Sequence, residues 1–246
     1  MILPPLLPLV LDVSNGVRAQ LLRLLKSLPN KEVDGHAALL LPYIRAGMTH
    51  LAADIRFSSV DILSWLLLAS GSEVVSCAGG WVKTMNCFLS LLGWHTEESG
   101  KLSLSKVSFG KAVNEGKSMA KVLQVFAEFL RVGVGVPDSV LVSDADQDSG
   151  AITWAFPLHQ TPLYLLPSKS APFAYLDLFG HVQDEEGDMY ETHEDRFRVF
   201  EQRFEMPVKR GVSATRKEAG EIGRASAIVN KVLEEARSTW KGSKND

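Results

Sequence analysis

A cysteine framework, membrane-length apolar runs and a strong excess of one charge are all missing from this chain, and each absence narrows what it can be. Cys77 and Cys87 are its two cysteines and form no CxxC, so no disulfide framework is encoded. Both thiols are expected as small buried hydrophobes in a reducing compartment. No window reaches the roughly 18 uncharged apolar residues of a membrane span. The apolar opening Met1 to Leu11 is broken by Pro4, Pro5 and Pro8 and has no basic flank of the kind that precedes a signal-peptide core. An intracellular, soluble protein with no membrane partner is expected. Net charge is only −3. It divides into 13 basic against 11 acidic side chains up to Ser143, 3 against 12 from Asp144 to Glu201, and 10 against 6 beyond. A near-neutral body, an acidic segment and a mildly basic tail make a weak electrostatic footprint for nucleic acid.

What is present is helical periodicity in a chain that is 46% hydrophobic, enough for one core or a short stack of helix pairs. Val17, Leu21, Leu24, Leu25 and Leu28 predict a helix stopped by Pro29. His36 to Leu51 predicts either a kinked helix or one that starts near Pro42. Ser58 with Asp61 reads as a capping box opening a helix that runs to Gly71. Trp81 to Leu92, closed by Gly93, is a fourth helix, and Ser118 to Val132 a strong fifth with Met119, Val122, Leu123, Phe126 and Leu130 inward. Periodicity weakens through the acidic, proline-containing stretch and returns at Tyr190, Phe197, Phe200 and Phe204. It returns again at Ile222, Ala225, Val229, Val232, Leu233 and Ala236. Neither of these last helices has an obvious local partner.

Helix pairs invite a search for repeats. Val17, Arg18, Leu22, Leu24 and Leu25 match Ile55, Arg56, Val60, Ile62 and Leu63 at a constant offset of 38, and Val82, Lys83, Cys87 and Leu89 echo them more weakly. An apolar residue, a basic residue and an apolar face resemble the second helix of HEAT or armadillo units, whose period is about 40.

No motif supports catalysis. Gly116, Lys117 and Ser118 end like a phosphate-binding loop, but Lys111 stands where its first glycine is required. Asp144, Asp146 and Asp148 open like a calcium loop, yet Ser149 occupies the glycine turn and Ala155 the bidentate glutamate position. The six histidines form no HExxH and no i, i+4 pair, and no GxSxG elbow occurs. No cofactor or metal is expected. Trp65, Trp81 and Trp94 fall on predicted helices, where tryptophan is more often core than contact surface.

PYIRAGMTHLAADIRFSSVDILSW at 42–65 and GGWVKTMNCFLSLLGW at 79–94 resemble the family of the pre-ribosomal-RNA-processing protein Ipi-one, the counterpart of testis-expressed protein ten. So do DVSNGVRAQLLRLL at 12–25, YLLPSKSAPFAYLDLFG at 164–180 and DMYETHEDRFRVF at 188–200, in the same order. Arg45 to Arg56 and Gly80 to Trp94 are the most specific stretches. The resemblance implies a helical-repeat subunit of the Rix-one complex. It would act in the nucleus (nucleoplasm or nucleolus) on precursors of the large ribosomal subunit, in processing of the second internal transcribed spacer, together with the AAA ATPase Midasin. It brings no catalytic residues. It also implies a further N-terminal stretch in family members, so that a start close to Asp12 is expected of a truncated gene model or a shortened homologue.

The expectation is therefore an all-α, HEAT/armadillo-like helical repeat solenoid with a partly irregular C-terminal extension. Residues 1–135 are read as the repeat domain, 136–188 as an acidic linker and 189–246 as charged terminal helices. A non-enzymatic scaffold is expected, with other Rix-one complex subunits and pre-60S particles as partners. Its expected partner-binding residues are Arg45, Asp54, Arg56, Trp81 and Lys83, with Asp54 and Arg56 partly structural as polar contacts between repeats. The alternative is an RNA-binding solenoid in which Arg18, Arg45, Arg56, Lys83 and the connector lysines meet phosphates. A nucleotide-dependent enzyme using Gly116 to Ser118 is a third, weaker expectation.

Overall fold

The computed structural model describes residues 3–29, 33, 35–94, 115–135, 187–218 and 220–242. Asp144, Asp146 and Asp148, and most of the 136–188 segment, lie outside them. Among the described residues all regular structure is helical. Helix α1 (Leu3–Leu6) and a 3-10 segment (Leu7–Leu11) lead into α2 (Asn15–Ser27), which ends where Leu28 turns extended ahead of Pro29. Helix α3 (Ala37–Met48) runs through Pro42, so the helix starts at Ala37 and does not wait for the proline.

Helix α4 (Ala53–Ser76) begins five residues before Ser58. Ser58 is not its cap: the hydroxyl bonds back to the Asp54 carbonyl at 2.8 Å, as serine inside a helix does. The helix also continues past Gly71, with a kink at Ser70 (φ −148°, ψ 47°) where its two parts meet. Helix α4 has the length and mean hydropathy to cross a membrane, which a search for uncharged runs passes over, and half of its apolar window is buried against other helices. Helix α5 (Val82–Leu92) ends on Gly93 at φ 68°, a left-handed cap that glycine adopts without strain. Helix α6 (Glu115–Val134) takes in Gly116, Lys117 and Ser118, which lie within a helix rather than in a loop around an anion. Helix α7 (His193–Val199) passes through a π segment (Phe200–Phe204) into α8 (Glu205–Thr215), and α9 (Glu221–Gly242) follows.

Two rows of helices result. Helix α2 lies on α4, α4 on α6 and α6 on α9; beside them the 3-10 segment lies on α3, α3 on α5 and α5 on α8. The terminal helices thus pack back onto the body, and residues 1–136 and 186–246 make one compact unit. Its core is continuous from Leu3 to Ala236. At the centre Trp81 stacks on Phe129 (4.9 Å between ring centroids), Phe88 lies against Phe126 (5.0 Å), and Trp94 meets Phe126 edge-on (6.0 Å).

Candidate partner-binding surface

An arginine inside a helical protein needs acceptors for its donors, since desolvating a guanidinium without them costs several kcal/mol. Arg18, Arg56 and Arg196 are 1%, 6% and 3% exposed and solve this in one way. Arg18 Nη1 donates to the carbonyls of Asp12 (2.5 Å) and Val13 (3.1 Å). Arg56 Nη1 donates to those of His50 (2.8 Å) and Leu51 (2.7 Å). Arg196 Nη1 donates to those of Tyr190 (2.5 Å) and Glu191 (2.9 Å). Each guanidinium clamps the loop that leads into its own helix, at the residues five and six positions upstream.

The match of Arg18 with Arg56 therefore marks a shared structural device. Its third member is Arg196, which periodicity missed because its distance from Arg56 is far from 38 residues. Arg196 also donates Nε to the Gly133 carbonyl (2.7 Å), fixing α7 to the end of α6. Burial holds its pKa down at about 10, against the opposing pull of Asp195.

The five residues singled out from sequence divide by depth. Trp81 is 0% exposed, and its Nε1 donates to the Arg196 carbonyl at 3.1 Å. Arg56 is also buried, so neither side chain is presented at the surface. Asp54, with 56% of its side chain exposed, accepts from Arg18 Nη2 at 2.5 Å and links α2 to α4. The Arg18 hydrogen bond holds the Asp54 carboxyl below its usual range, with desolvation pulling the other way. Arg45 is half-buried and donates to the Gly79 carbonyl (2.7 Å), and Lys83 is half-buried in the first turn of α5. Arg18 and Arg56 have no face to offer a phosphate, which removes two of the residues on which direct RNA contact was expected to rest.

These contacts tie the loops of one edge in series. Arg18, which holds loop 12–14, also bonds Asp54 in the first turn of α4, next to loop 49–52; Arg45 to Gly79 joins the end of α3 to loop 77–81. The Gly79 amide donates to the Asp188 carbonyl (3.2 Å), joining that loop to 187–192. At the N-terminal end an open groove of about 670 Å³ lies between the 3-10 segment and α2, lined by Leu6, Leu9, Val17, Leu21 and Leu24 among others. Val17 and Leu24 are 36% and 41% exposed, while their repeat mates Ile55 and Ile62 are 3% and 0% exposed. Among the described residues no group of three or more His, Cys, Asp or Glu is arranged to hold a metal ion.

Residues 31–130 match a family model described as a Rix1 complex component involved in 60S ribosome maturation. Over 237 residues the chain is 57% identical to the pre-rRNA-processing protein ipi1 of Neosartorya fischeri, covering 96% of this chain and 69% of that protein. It is 45% identical over 267 residues to the protein of that name in Emericella nidulans, covering 98% and 71%. To the one in Chaetomium thermophilum it is 39% identical over 238 residues, covering 94% and 67%. Relatedness at that level across nearly the whole chain places it in the pre-rRNA-processing protein Ipi1 family.

Proposed function

We propose that this chain is a non-enzymatic scaffold subunit of the Rix1 complex in the nucleus, acting in maturation of the large ribosomal subunit. Processing of the second internal transcribed spacer is the step we assign to it, with the other subunits of the complex, the AAA ATPase Midasin and pre-60S particles as its partners. The two rows of helices are read as a short HEAT/armadillo-like solenoid. Such a solenoid buries a core only between neighbours and leaves long edges and end faces for binding.

The observation that carries this reading is how the polar side chains are used. The three buried arginines all bond to backbone carbonyls, and Trp81 and Arg196 lock helices together. Rigid loops and exposed helix faces are what remain available to a partner. Affinity purification of the tagged chain from nuclear extract, with mass spectrometry of the eluate, tests it. Recovery of Rix1 complex subunits with large-subunit precursors is the expected result. Recovery of none, from an extract that contains them, would overturn the reading.

A further inference from the structure

The loops that the buried arginines clamp carry side chains that the fold does not use. Loop 12–14 presents Val13 at 88% exposure, loop 49–52 presents Leu51 at 93%, and loop 187–192 presents Met189 at 59%. Val13 and Leu51 occupy the same place in their loops: each is the residue five positions before its arginine, with its carbonyl held by that guanidinium. A single exposed apolar residue needs no explanation. Two at equivalent positions of backbone held rigid by buried arginines, with a third on the same run of tied loops, form a row.

The fully exposed charge within these loops is acidic, and the cations beside loop 77–81, Arg45 and Lys83, are half-buried. Asp188 and Glu191 are exposed beside Met189, and Asp54 is exposed beyond Leu51, whereas the arginines of these loops have their guanidinium groups turned into the protein. Phosphate would be repelled here. A cationic chain with apolar side chains would be attracted, and the Debye length of about 8 Å at physiological ionic strength lets neighbouring carboxylates act together.

We propose that this edge docks an extended basic segment of a partner protein, one in which Lys or Arg alternates with Leu, Ile or Val. Its apolar side chains would seat against Val13, Leu51 and Met189, and its cations would pair with the carboxylates between them. The loops are fixed before binding, so little ordering cost falls on this side of the interface. The proposal rests on the scaffold reading only for the source of the partner.

The test uses the full chain and a fluorescein-labelled peptide of Arg-Leu units spaced by Gly-Ser, titrated by anisotropy at low and high salt. Controls are the same peptide with Glu for Arg, the same with Ser for Leu, and an oligouridylate. We expect the Arg-Leu peptide alone to bind, with affinity falling as salt rises. The V13S/L51S and D188K/E191K variants should each weaken it roughly tenfold or more. Their melting temperatures should be unchanged, since all four side chains are exposed. No binding of the Arg-Leu peptide, equal binding by both variants, or an edge that takes the oligouridylate instead would overturn the proposal. Pull-down of Rix1 complex subunits separates it from the scaffold reading. If the wild-type chain and both variants capture them equally, the edge is not the docking site while the scaffold stands. If even the wild-type chain captures none, the scaffold reading fails and the peptide titration alone decides the edge.

Discussion

Arg56 and Asp54 stand two positions apart on α4 and differ in what they are worth to the fold. Arg56 is 6% exposed and holds two loop carbonyls, so Arg56→Met leaves those acceptors short of a donor in a region closed to water. The expected loss is about 3 kcal/mol in urea denaturation. Arg56→Lys should recover only part of it, because the lysine side chain is shorter and its flexible ammonium is less well placed to reach both carbonyls. Asp54→Asn keeps an oxygen to accept from Arg18 and removes a charge only on the exposed side of the pair, where solvent screens it, so it should cost under about 1 kcal/mol. An Arg56→Met protein as stable as wild type would show that the clamps are ornamental. Histidine 193 gives a pH dependence. Its ring lies parallel to that of Trp240 at 6.4 Å, and burial first, then Arg196, lowers its pKa from 6.5, with the Gly133 backbone opposing them. The unfolded chain therefore binds the proton more readily, and stability falls as pH drops below 6.5. Thermal melts from neutral to mildly acidic pH should show this fall, and His193→Gln should flatten it; an unchanged slope would refute the assignment. Which residues mattered was partly legible, since Arg18 and Arg56 advertise themselves as a repeated pair. That their partners are backbone carbonyls was not, because periodicity describes side-chain types and says nothing of which loop a guanidinium reaches.

At the scale of the helix, two glycines reverse an ordinary expectation. Replacing glycine by alanine inside a helix usually stabilises it by about 1 kcal/mol. Gly133 near the end of α6 and Gly211 in α8 are places where another helix needs the room. A Cβ at Gly133 would stand 2.1 Å from the Trp81 ring, and one at Gly211 would stand 2.1 Å from the Trp94 ring. Gly133→Ala and Gly211→Ala should each destabilise by about 1–3 kcal/mol, the range for overpacking a filled core. A gain in either by differential scanning calorimetry would show that the indoles move aside cheaply. Helix positions themselves read well from sequence. The apolar faces of α2, α5, α6 and α9 follow a 3.6-residue period, and α2 and α5 end at Pro29 and Gly93 as expected. The start of α4 did not, because Ser58 and Asp61 imitate a cap while a helix that can bond Ser58 back to Asp54 has no need of one. The glycines at Trp81 and Trp94 were also silent, since close approach between helices leaves no local pattern.

Across the whole molecule, what sequence left open was the destination of the last helices, and packing decides it. Val229, Val232 and Leu233 of α9 are 0%, 2% and 3% exposed, and α9 makes its most extensive packing with α6. One further tie crosses this joint, Trp240 Nε1 donating to the Val134 carbonyl (2.9 Å), and Arg237 holds α9 to α8 through Glu205 (2.5 Å). Burying each of those three aliphatic side chains contributes about 1.5–3 kcal/mol, so together they approach the whole stability of a typical domain, about 5–15 kcal/mol. Deleting residues 220–246 would also expose the apolar face of α6 that α9 covers. The truncated chain is therefore expected to lose its cooperative melt, bind a hydrophobic dye and aggregate, while the full chain unfolds in one transition. If α9 were instead an independent appendage, the truncated chain would keep its melting temperature and remain monomeric in size-exclusion chromatography. The same experiment bears on partner capture. A helix that completes the core cannot also be a free docking helix, so a failed pull-down by the truncated chain would report collapse of the body, and surface variants are the sound way to map its interfaces.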